Sequence, residues 1–236
     1  MAKTRAQLNA AVRMYLDEAV AADWNDNDVN REINNGYQEV VTAVIETYED
    51  YYLTEATTDT VADQQEYALP SDFWKLRRVE INYDPDNSSS NPQRALPVQL
   101  DQVRRDLGYE NAGITVLRNP AYYVQGNLIG FIPVPQEDGT DAIKIWYVRQ
   151  VSNLSSDDDT IDIPYPDRYG KLIPMYAAGI LLQKGQEAVG EANNLLTQFY
   201  QGLERMKQQL EDRVADDAKS VTDVHLASID FGDFSW

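Results

Sequence analysis

The strongest constraint on the fold is a long apolar stripe in the first quarter of the chain. Apolar side chains recur there in steps of three or four residues, which is the spacing of one face of an α-helix. Asn25 precedes the stripe as an N-cap candidate, and Asp26 and Asp28 suit the positive first turn of a helix. The pattern predicts a helix of about seven turns with one buried face. The stripe consists of Val29, Ile33, Tyr37, Val40, Val44 and Tyr48.

A shorter helix is predicted at the start of the chain. Thr4 and Gln7 have the spacing of a capping box, in which each residue satisfies a free amide of the other. We expect this helix to end near Ala22. Its apolar face is formed by Leu8, Val12, Tyr15, Leu16 and Ala19.

Helical periodicity returns in the last third of the chain. A third helix is expected beyond Pro166, with a kink at Pro174 and a stop at Gly185 or Gly190. A fourth helix follows, and its apolar residues have a spacing typical of coiled coils. They are Leu195, Phe199, Leu203, Met206, Leu210 and Val214.

The middle of the chain has the pattern of β-strands. Threonine, aromatic residues and alternating apolar and polar positions replace the helical period after Tyr51, and turn-forming residues separate the segments. We expect one short helix in this part, at residues 100–107. Strands are predicted at residues 52–60, 65–69, 76–83, 121–124, 128–132 and 142–148.

Helices at both ends of the chain need a common core, because each has only one apolar face. The simplest arrangement packs the four helices together and lets the β segment protrude from them. We therefore predict an α+β fold, in which a four-helix bundle carries an inserted β-rich domain and an extended C-terminal tail. The predicted boundaries are residues 1–51 and 164–217 for the discontinuous bundle, 52–163 for the insert and 218–236 for the tail.

Acidic residues outnumber basic residues by 39 to 20, which gives a formal net charge of -19. Such a surface repels phosphate, so tight nucleic-acid binding is not expected. The pairs Arg77–Arg78 and Arg104–Arg105 are expected to be solvated or ion-paired. The chain has no cysteine, and it shows neither a signal-peptide core nor the roughly 20 consecutive apolar residues that span a bilayer. We expect a protein made in the cytoplasm, with no membrane association.

The last segment, residues 218–236, loses the helical period but remains apolar. Three pairs of large apolar side chains lie two residues apart, so each pair shares one face of an extended chain. Burying such side chains is worth roughly 1.5–3 kcal/mol each, and another surface is therefore expected to cover them. The tail either folds back on its own bundle or, as we favour, docks on another subunit or another protein. The predicted docking residues are Val224, Leu226, Ile229, Phe231, Phe234 and Trp236.

No catalytic, cofactor or metal site is predicted. The single histidine, His225, lies in the tail without a serine or cysteine at a suggestive spacing, which is a poor position for a catalytic base. Residues 155–159 read Ser-Ser-Asp-Asp-Asp and lack the alternate spacing of a calcium-binding loop, so they fit a solvated turn better. The glycines are scattered and form no phosphate-binding loop.

Four short strings occur in order along residues 4–182. They are WNDNDVNREINNGY at 24–37, VADQQEYALPSDF at 61–73, PAYY at 120–123 with IGFIPVP at 129–135, and IPYPDRYGKLIPMYA at 163–177. The second is more specific than the first, and it has the form Gln-x-Tyr-x-Leu-Pro-x-Asp-Phe. In order and spacing, these strings resemble the head-to-tail adaptor proteins of tailed bacteriophages. The resemblance does not cover the last helix or the tail.

This resemblance implies a non-catalytic structural protein of the virion neck, between capsid and tail. It implies a ring of roughly twelve copies, which binds the portal protein on one side and a downstream tail or nozzle protein on the other. DNA is expected to pass through the channel without specific binding, because carboxylates in the lumen repel the duplex. Adaptors of this type often extend a C-terminal tail onto the portal, and the apolar pairs of residues 218–236 suit that use.

Two other classes of function remain open. One is a different virion structural protein, such as a tail-completion, capsid-decorating or baseplate component. The less favoured class is a cell-wall glycosidase, since any two of the 39 acidic residues can meet in space as a catalytic pair that a sequence does not reveal.

Overall fold

The computed structural model describes residues 3–18, 23–84, 91–99, 120–185 and 188–217. Over these ranges the fold is α+β, as predicted. The helices are α1 (Arg5–Tyr15), α2 (Asp26–Tyr48), the short α3 (Pro166–Tyr169), α4 (Leu172–Gly185) and α5 (Val189–Asp217), with a 3-10 turn at Glu49–Tyr52. The strands are β1 (Leu53–Thr60), β2 (Glu66–Ala68), β3 (Phe73–Ile81), β4 (Gln93–Arg94), β5 (Leu96–Pro97), β6 (Ala121–Gln125), β7 (Leu128–Ile132) and β8 (Gly139–Arg149).

The first two helices begin at the capping residues that the sequence predicts. The side chain of Thr4 accepts a hydrogen bond from the amide of Gln7, whose side chain accepts one from the amide of Thr4. In α2, Asn25 Oδ1 accepts a hydrogen bond from the amide of Asp28 at 2.9 Å. Both caps satisfy amides that a helix leaves unpaired at its start.

Two predicted helix boundaries are wrong. Instead of continuing to near Ala22, α1 ends at its C-cap Leu16, because Asp17 adopts a left-handed φ of 55° through which a helix does not continue. The third predicted helix is divided into α3 and α4, and Pro174 lies in the first turn of α4 instead of kinking a longer helix. The missing N–H of proline has no cost there, since first-turn amides have no acceptor within the helix.

The helices share one apolar core. α2 packs against α4 and α5, α4 packs against α5, and α1 contacts both α2 and α4. The predicted stripe of α2 faces this core, and its residues from Val29 to Val44 are at most 1 % exposed. The chain at and after the end of β8 enters the same core through Val148, Val151, Leu154, Ile161 and Ile163.

The strands form two four-stranded sheets. Their orders are β1-β8-β3-β4 and β2-β7-β6-β5. β1 and β3 both pair antiparallel with β8, and the β6–β7 hairpin turns at Gly126, whose φ of 59° suits glycine. All six predicted strands are present, whereas β4 and β5 were not predicted and residues 100–107 lie outside the described ranges. A second apolar core joins the sheets and includes Tyr67, Val79, Ile81, Ile129, Phe131, Ile143 and Ile145.

Two glycines of α5 are expected to respond in opposite directions to the same substitution. A Cβ on Gly202 would lie 2.4 Å from Leu172 Cδ2, and Leu172 is only 2 % exposed, whereas a Cβ on Gly190 meets nothing within 4 Å. Gly190→Ala should raise the free energy of unfolding by up to ~1 kcal/mol through helix propensity. Gly202→Ala should lower it by about 1 kcal/mol, because overpacking costs about 1–3 kcal/mol. Urea denaturation of both variants tests this, and a gain for Gly202→Ala would contradict the close packing of α4 on α5.

Candidate functional site

The predicted docking residues lie outside the described ranges. α5 ends at Asp217, and all of them follow it. The docking role of Val224, Leu226, Ile229, Phe231, Phe234 and Trp236 therefore stays a prediction. His225 and the pair Arg104–Arg105 also lie outside the described residues. Within the described ranges, the candidate functional groups are charged and aromatic side chains that tie helices and strands to one another.

Glu32 of α2 is the one buried carboxylate of the described residues, at 3 % exposure. Its Oε1 accepts hydrogen bonds from Lys184 Nζ at 2.6 Å and from Arg31 Nε at 3.2 Å, and its Oε2 accepts one from Asn35 Nδ2 at 2.9 Å. Burial alone raises the pKa of Glu32, but the hydrogen bonds from Lys184, Asn35 and Arg31 outweigh it, so the pKa lies below the ordinary 4.5. Glu32 stays ionised and ties α2 to α4, which suits an ion pair and not a general acid.

The acidic run at residues 155–159 is a hydrogen-bonded turn that holds the start of α1. Asp159 Oδ2 accepts hydrogen bonds from the amides of Ser156 at 2.7 Å and Ser155 at 2.6 Å, and these contacts lower the pKa of Asp159. The guanidinium of Arg5 contacts Asp157 Oδ1 and the carbonyl oxygen of Ser155, both at 2.7 Å. The carboxylates of Asp157 and Asp159 thus have protein partners.

The first predicted basic pair is ion-paired, as expected. Arg77 contacts Glu49 at 2.8 Å and Asp50 at 2.5 Å, which ties β3 to the 3-10 turn after α2. Arg78 pairs with Glu80 on the same strand and lies 5.2 Å from the ring centre of Trp146. Both arginines therefore have carboxylate partners within the chain.

A tyrosine cluster around Asp162 joins the helices to β8. The amide of Asp162 donates to Tyr37 Oη, and its carbonyl oxygen accepts from Tyr52 Oη, both at 2.9 Å. Its carboxylate pairs with Arg149 at the end of β8 and accepts from Tyr51 Oη at 3.4 Å. Burial raises the pKa of Tyr37 to about 12 and also raises those of Tyr51 and Tyr52. The tyrosines stay protonated at neutral pH and serve as fixed hydrogen-bonding groups.

Two features of the described surface suit contacts with other protein chains. β1 is the outer strand of the first sheet, and among the described strands only β8 pairs with it, so its other edge has no paired strand within the described ranges. Large side chains are also exposed, including Met14 at 83 %, Tyr200 at 53 % and Trp74 at 51 %. They lie on α1, α5 and β3, so the exposed apolar surface is spread over several elements.

Two other kinds of site are absent from the described ranges. No group of three or more histidine, aspartate or glutamate side chains there is placed to hold a metal ion. Each helix of those ranges is too short or too polar to cross a membrane.

The buried ion pair of Glu32 gives a pH-dependent prediction. Because the pKa of Glu32 is lowered in the folded state, its contribution to stability is present above its ordinary pKa of 4.5 and is lost as the pH falls through the folded value. Glu32→Gln should lower the free energy of unfolding at pH 7 by about 2 kcal/mol, the size expected for hydrogen bonds to a charged group. It should also flatten the loss of stability below pH 4.5, measured by urea denaturation across pH.

Glu46→Gln is the matched control on the same helix. Glu46 is 63 % exposed and lies 3.6 Å from Lys207 of α5, so its removal should change stability by no more than about 0.5 kcal/mol. Equal effects of the two substitutions would show that the ion pair of Glu32 does not stabilise the contact between α2 and α4.

Comparison with curated proteins finds no match for this chain. A family model described as SU10 adaptor protein matches residues 3–222. The match covers every described helix and strand and extends beyond the strings at residues 4–182, since it includes α5. It ends before Val224, so all six predicted docking residues follow it. With nearly its whole length matched, the chain belongs to the SU10 adaptor protein family, a family of phage structural adaptors.

Proposed function

We propose that this phage structural adaptor forms a ring beneath the portal, connects the capsid to the tail and continues the channel through which DNA passes. The family match over residues 3–222 carries the proposal, because it makes the chain a virion component that contacts other head and tail proteins. The proposal adds four features to the family match. They are the ring, its roughly twelve copies, the contact with the portal and the contact with a downstream tail or nozzle protein.

The proposed subunit has a helical body and a β-rich insert. Residues 1–51 and 164–217 supply the body, and residues 52–163 supply the insert. Two separate apolar cores, one among the helices and one between the sheets, support this division. The chain after β8 packs into the helical core, so the insert is attached over more than its two connecting peptides.

Ring contacts are assigned to the open edge of β1 and to exposed apolar side chains. A head-to-tail ring needs two different surfaces on each subunit, so a neighbour that covers β1 uses a different element to do so. Glu55 on the outer strand β1 already pairs with Lys144 at 2.7 Å within the chain. The backbone groups along the edge of β1, and not this side chain, are therefore the proposed contact with a neighbour.

The acidic composition suits a DNA channel. A chain with net charge -19 gives a ring whose summed potential repels phosphate. DNA then passes without the counterion release that drives tight binding. This explains why a protein of the DNA path has almost twice as many acidic as basic residues.

The tail is proposed to dock on the portal. Its six large apolar residues follow the part of the chain that the family shares, so they are suited to a partner surface that differs between phages. Extended segments of this kind bind through backbone hydrogen bonds and a few aromatic anchors.

The ring is tested by measuring mass. Purified protein mixed with its portal should give a complex that contains several adaptor copies, measured by mass photometry at low and moderate salt. The protein mixed with its tail tube is the control that separates this function from that of a tail-completion protein. Binding to the tube alone, or no association with the portal at any salt, would reject the proposed position in the neck.

Trimming the chain after Ser220 tests the tail. α5 ends at Asp217, so the cut removes no described residue, and helicity and melting temperature should remain within the error of the full chain. Portal binding should weaken at least about a hundredfold, since several buried aromatic anchors at roughly 1.5 kcal/mol or more each are lost. A trimmed chain that keeps its fold and still binds the portal with full affinity would show that the tail is not the docking segment.

A further inference from the structure

A basic cavity lies between the α3–α4 segment and α5. Its volume is about 260 Å³, and its lining includes the cations Arg168, Lys171 and Arg205. No carboxylate of the described residues lines it. In a chain with net charge -19, three cations around one cavity form a local positive site.

These three cations are available to a ligand. All are exposed, and among the described residues none has a carboxylate within ion-pair distance. Arg13 and Arg77 differ from them, since each contacts two carboxylates.

The rest of the cavity lining is apolar or amide-bearing. Leu172 is 2 % exposed, Met175 is partly buried, and Gly202 packs closely against Leu172. Gln198 and Gln201 of α5 add side-chain amides at the rim. An apolar floor with cations at the rim fits a ligand that carries both aromatic rings and carboxylates.

One segment of this chain has that chemistry. Residues 229–236 read Ile-Asp-Phe-Gly-Asp-Phe-Ser-Trp, with two carboxylates, three aromatic side chains and no lysine or arginine. Asp230 and Asp233 lie next to Phe231 and Phe234, so carboxylates and rings alternate along the segment.

The segment can reach the cavity of its own subunit. The cavity residues of α5 lie 12 to 19 positions before Asp217, which corresponds to roughly 18–29 Å along the helix. Residues 218–228 span up to about 36 Å when extended, so they can return the segment to this level. Attachment to the same chain also gives an effective concentration of the order of millimolar.

We propose that residues 229–236 of this chain occupy the basic cavity of their own subunit before the adaptor meets its partner. The carboxylates of Asp230 and Asp233 pair with the cations at the rim, and an aromatic ring covers Leu172 and Met175. The cavity shields aromatic side chains that would otherwise promote aggregation, and it holds the docking segment in reserve.

A peptide fits this site better than a DNA duplex. A duplex backbone offers phosphate but no apolar group for the floor, and the surrounding acidic chain repels it. The segment carries only two aspartates and is joined to the same subunit. The long-range repulsion between these aspartates and the acidic surface is therefore small compared with the local contacts of the segment in the cavity.

Disulfide cross-linking of the full chain tests the proposal, because the chain has no cysteine of its own. Ser235→Cys combined with Gln201→Cys should form an intramolecular disulfide under mild oxidation at low protein concentration. Ser235→Cys with Ser71→Cys is the control, since Ser71 is exposed and lines another surface cavity that has no cationic lining. The first pair should react at least about tenfold faster than the control pair, as expected for a held segment against random encounter.

Charge reversal at the rim tests whether the cations bind the segment or whether the segment merely comes near the cavity because it is tethered. Arg168→Glu with Arg205→Glu should slow the cross-link about tenfold or more, whereas Arg94→Glu, at an exposed arginine outside the cavity, should not. Equal rates for both cysteine pairs, or no effect of charge reversal, would overturn the proposal. A disulfide found only between two copies would overturn the assignment to the same subunit. If duplex DNA, and not the segment, protects the cysteine at position 201 from alkylation, the cavity is a phosphate site instead.

This result is independent of the portal assay, because the cross-link is measured on the adaptor alone. A chain that cross-links but never binds a portal removes the proposed docking and leaves the cavity assignment intact. A chain that binds its portal but does not cross-link removes the cavity assignment and leaves the proposed docking intact.

Discussion

The hydrogen bonds of Asp162 fix the helices and the first sheet in one arrangement. Its amide donates a hydrogen bond to Tyr37 of α2, and its carbonyl oxygen accepts one from Tyr52 of the 3-10 turn. Its carboxylate pairs with Arg149 of β8. Tyr37 and Tyr52 are both 1 % exposed, and an unpaired polar group at such a position costs about 1–3 kcal/mol. The neighbouring Ile161 and Ile163 enter the helical core, so apolar packing and hydrogen bonding act on the same few residues. The surfaces carried by the first sheet are therefore held in a defined position relative to the helices.

Local sequence patterns were sufficient to predict most helices and strands, but not which strands pair with one another. α2 was predicted closely because its cap and its apolar face depend on residues within one turn of each other. The neighbour of β1 is β8, and Leu53 faces Val148 across that pair, which no local pattern specifies because strand order depends on contacts distant in sequence. The early end of α1 has a more local cause, since Asp17 adopts a left-handed φ of 55° and Glu18 contacts Arg13 and the amide of Asp23. Boundaries fixed by such contacts are not visible in periodicity.

The charged groups of the site escaped prediction for a related reason. Glu32 precedes Ile33 at the border of the apolar stripe, where a charged residue is normally assigned to the solvated face, and its partner Lys184 belongs to another helix. Arg168 belongs to α3, Lys171 lies in the break between α3 and α4, and Arg205 lines the same cavity because α5 packs against that segment. A net charge of -19 describes the average surface and conceals a local cluster of three cations.

If the cavity and the portal bind the same side chains, the two contacts exclude each other, and their relative free energies decide when the tail is released. Attachment to its own subunit favours the cavity at millimolar effective concentration, so a single portal site has to bind the tail more tightly than the cavity does to displace it. A ring changes this balance, because several tails facing several portal sites gain avidity that an isolated subunit lacks. The free subunit then keeps its aromatic residues covered, and only an assembled ring positioned on a portal favours release. Under these two proposals, a weak contact of charged and aromatic groups within one subunit would restrict docking to the correct stage of assembly.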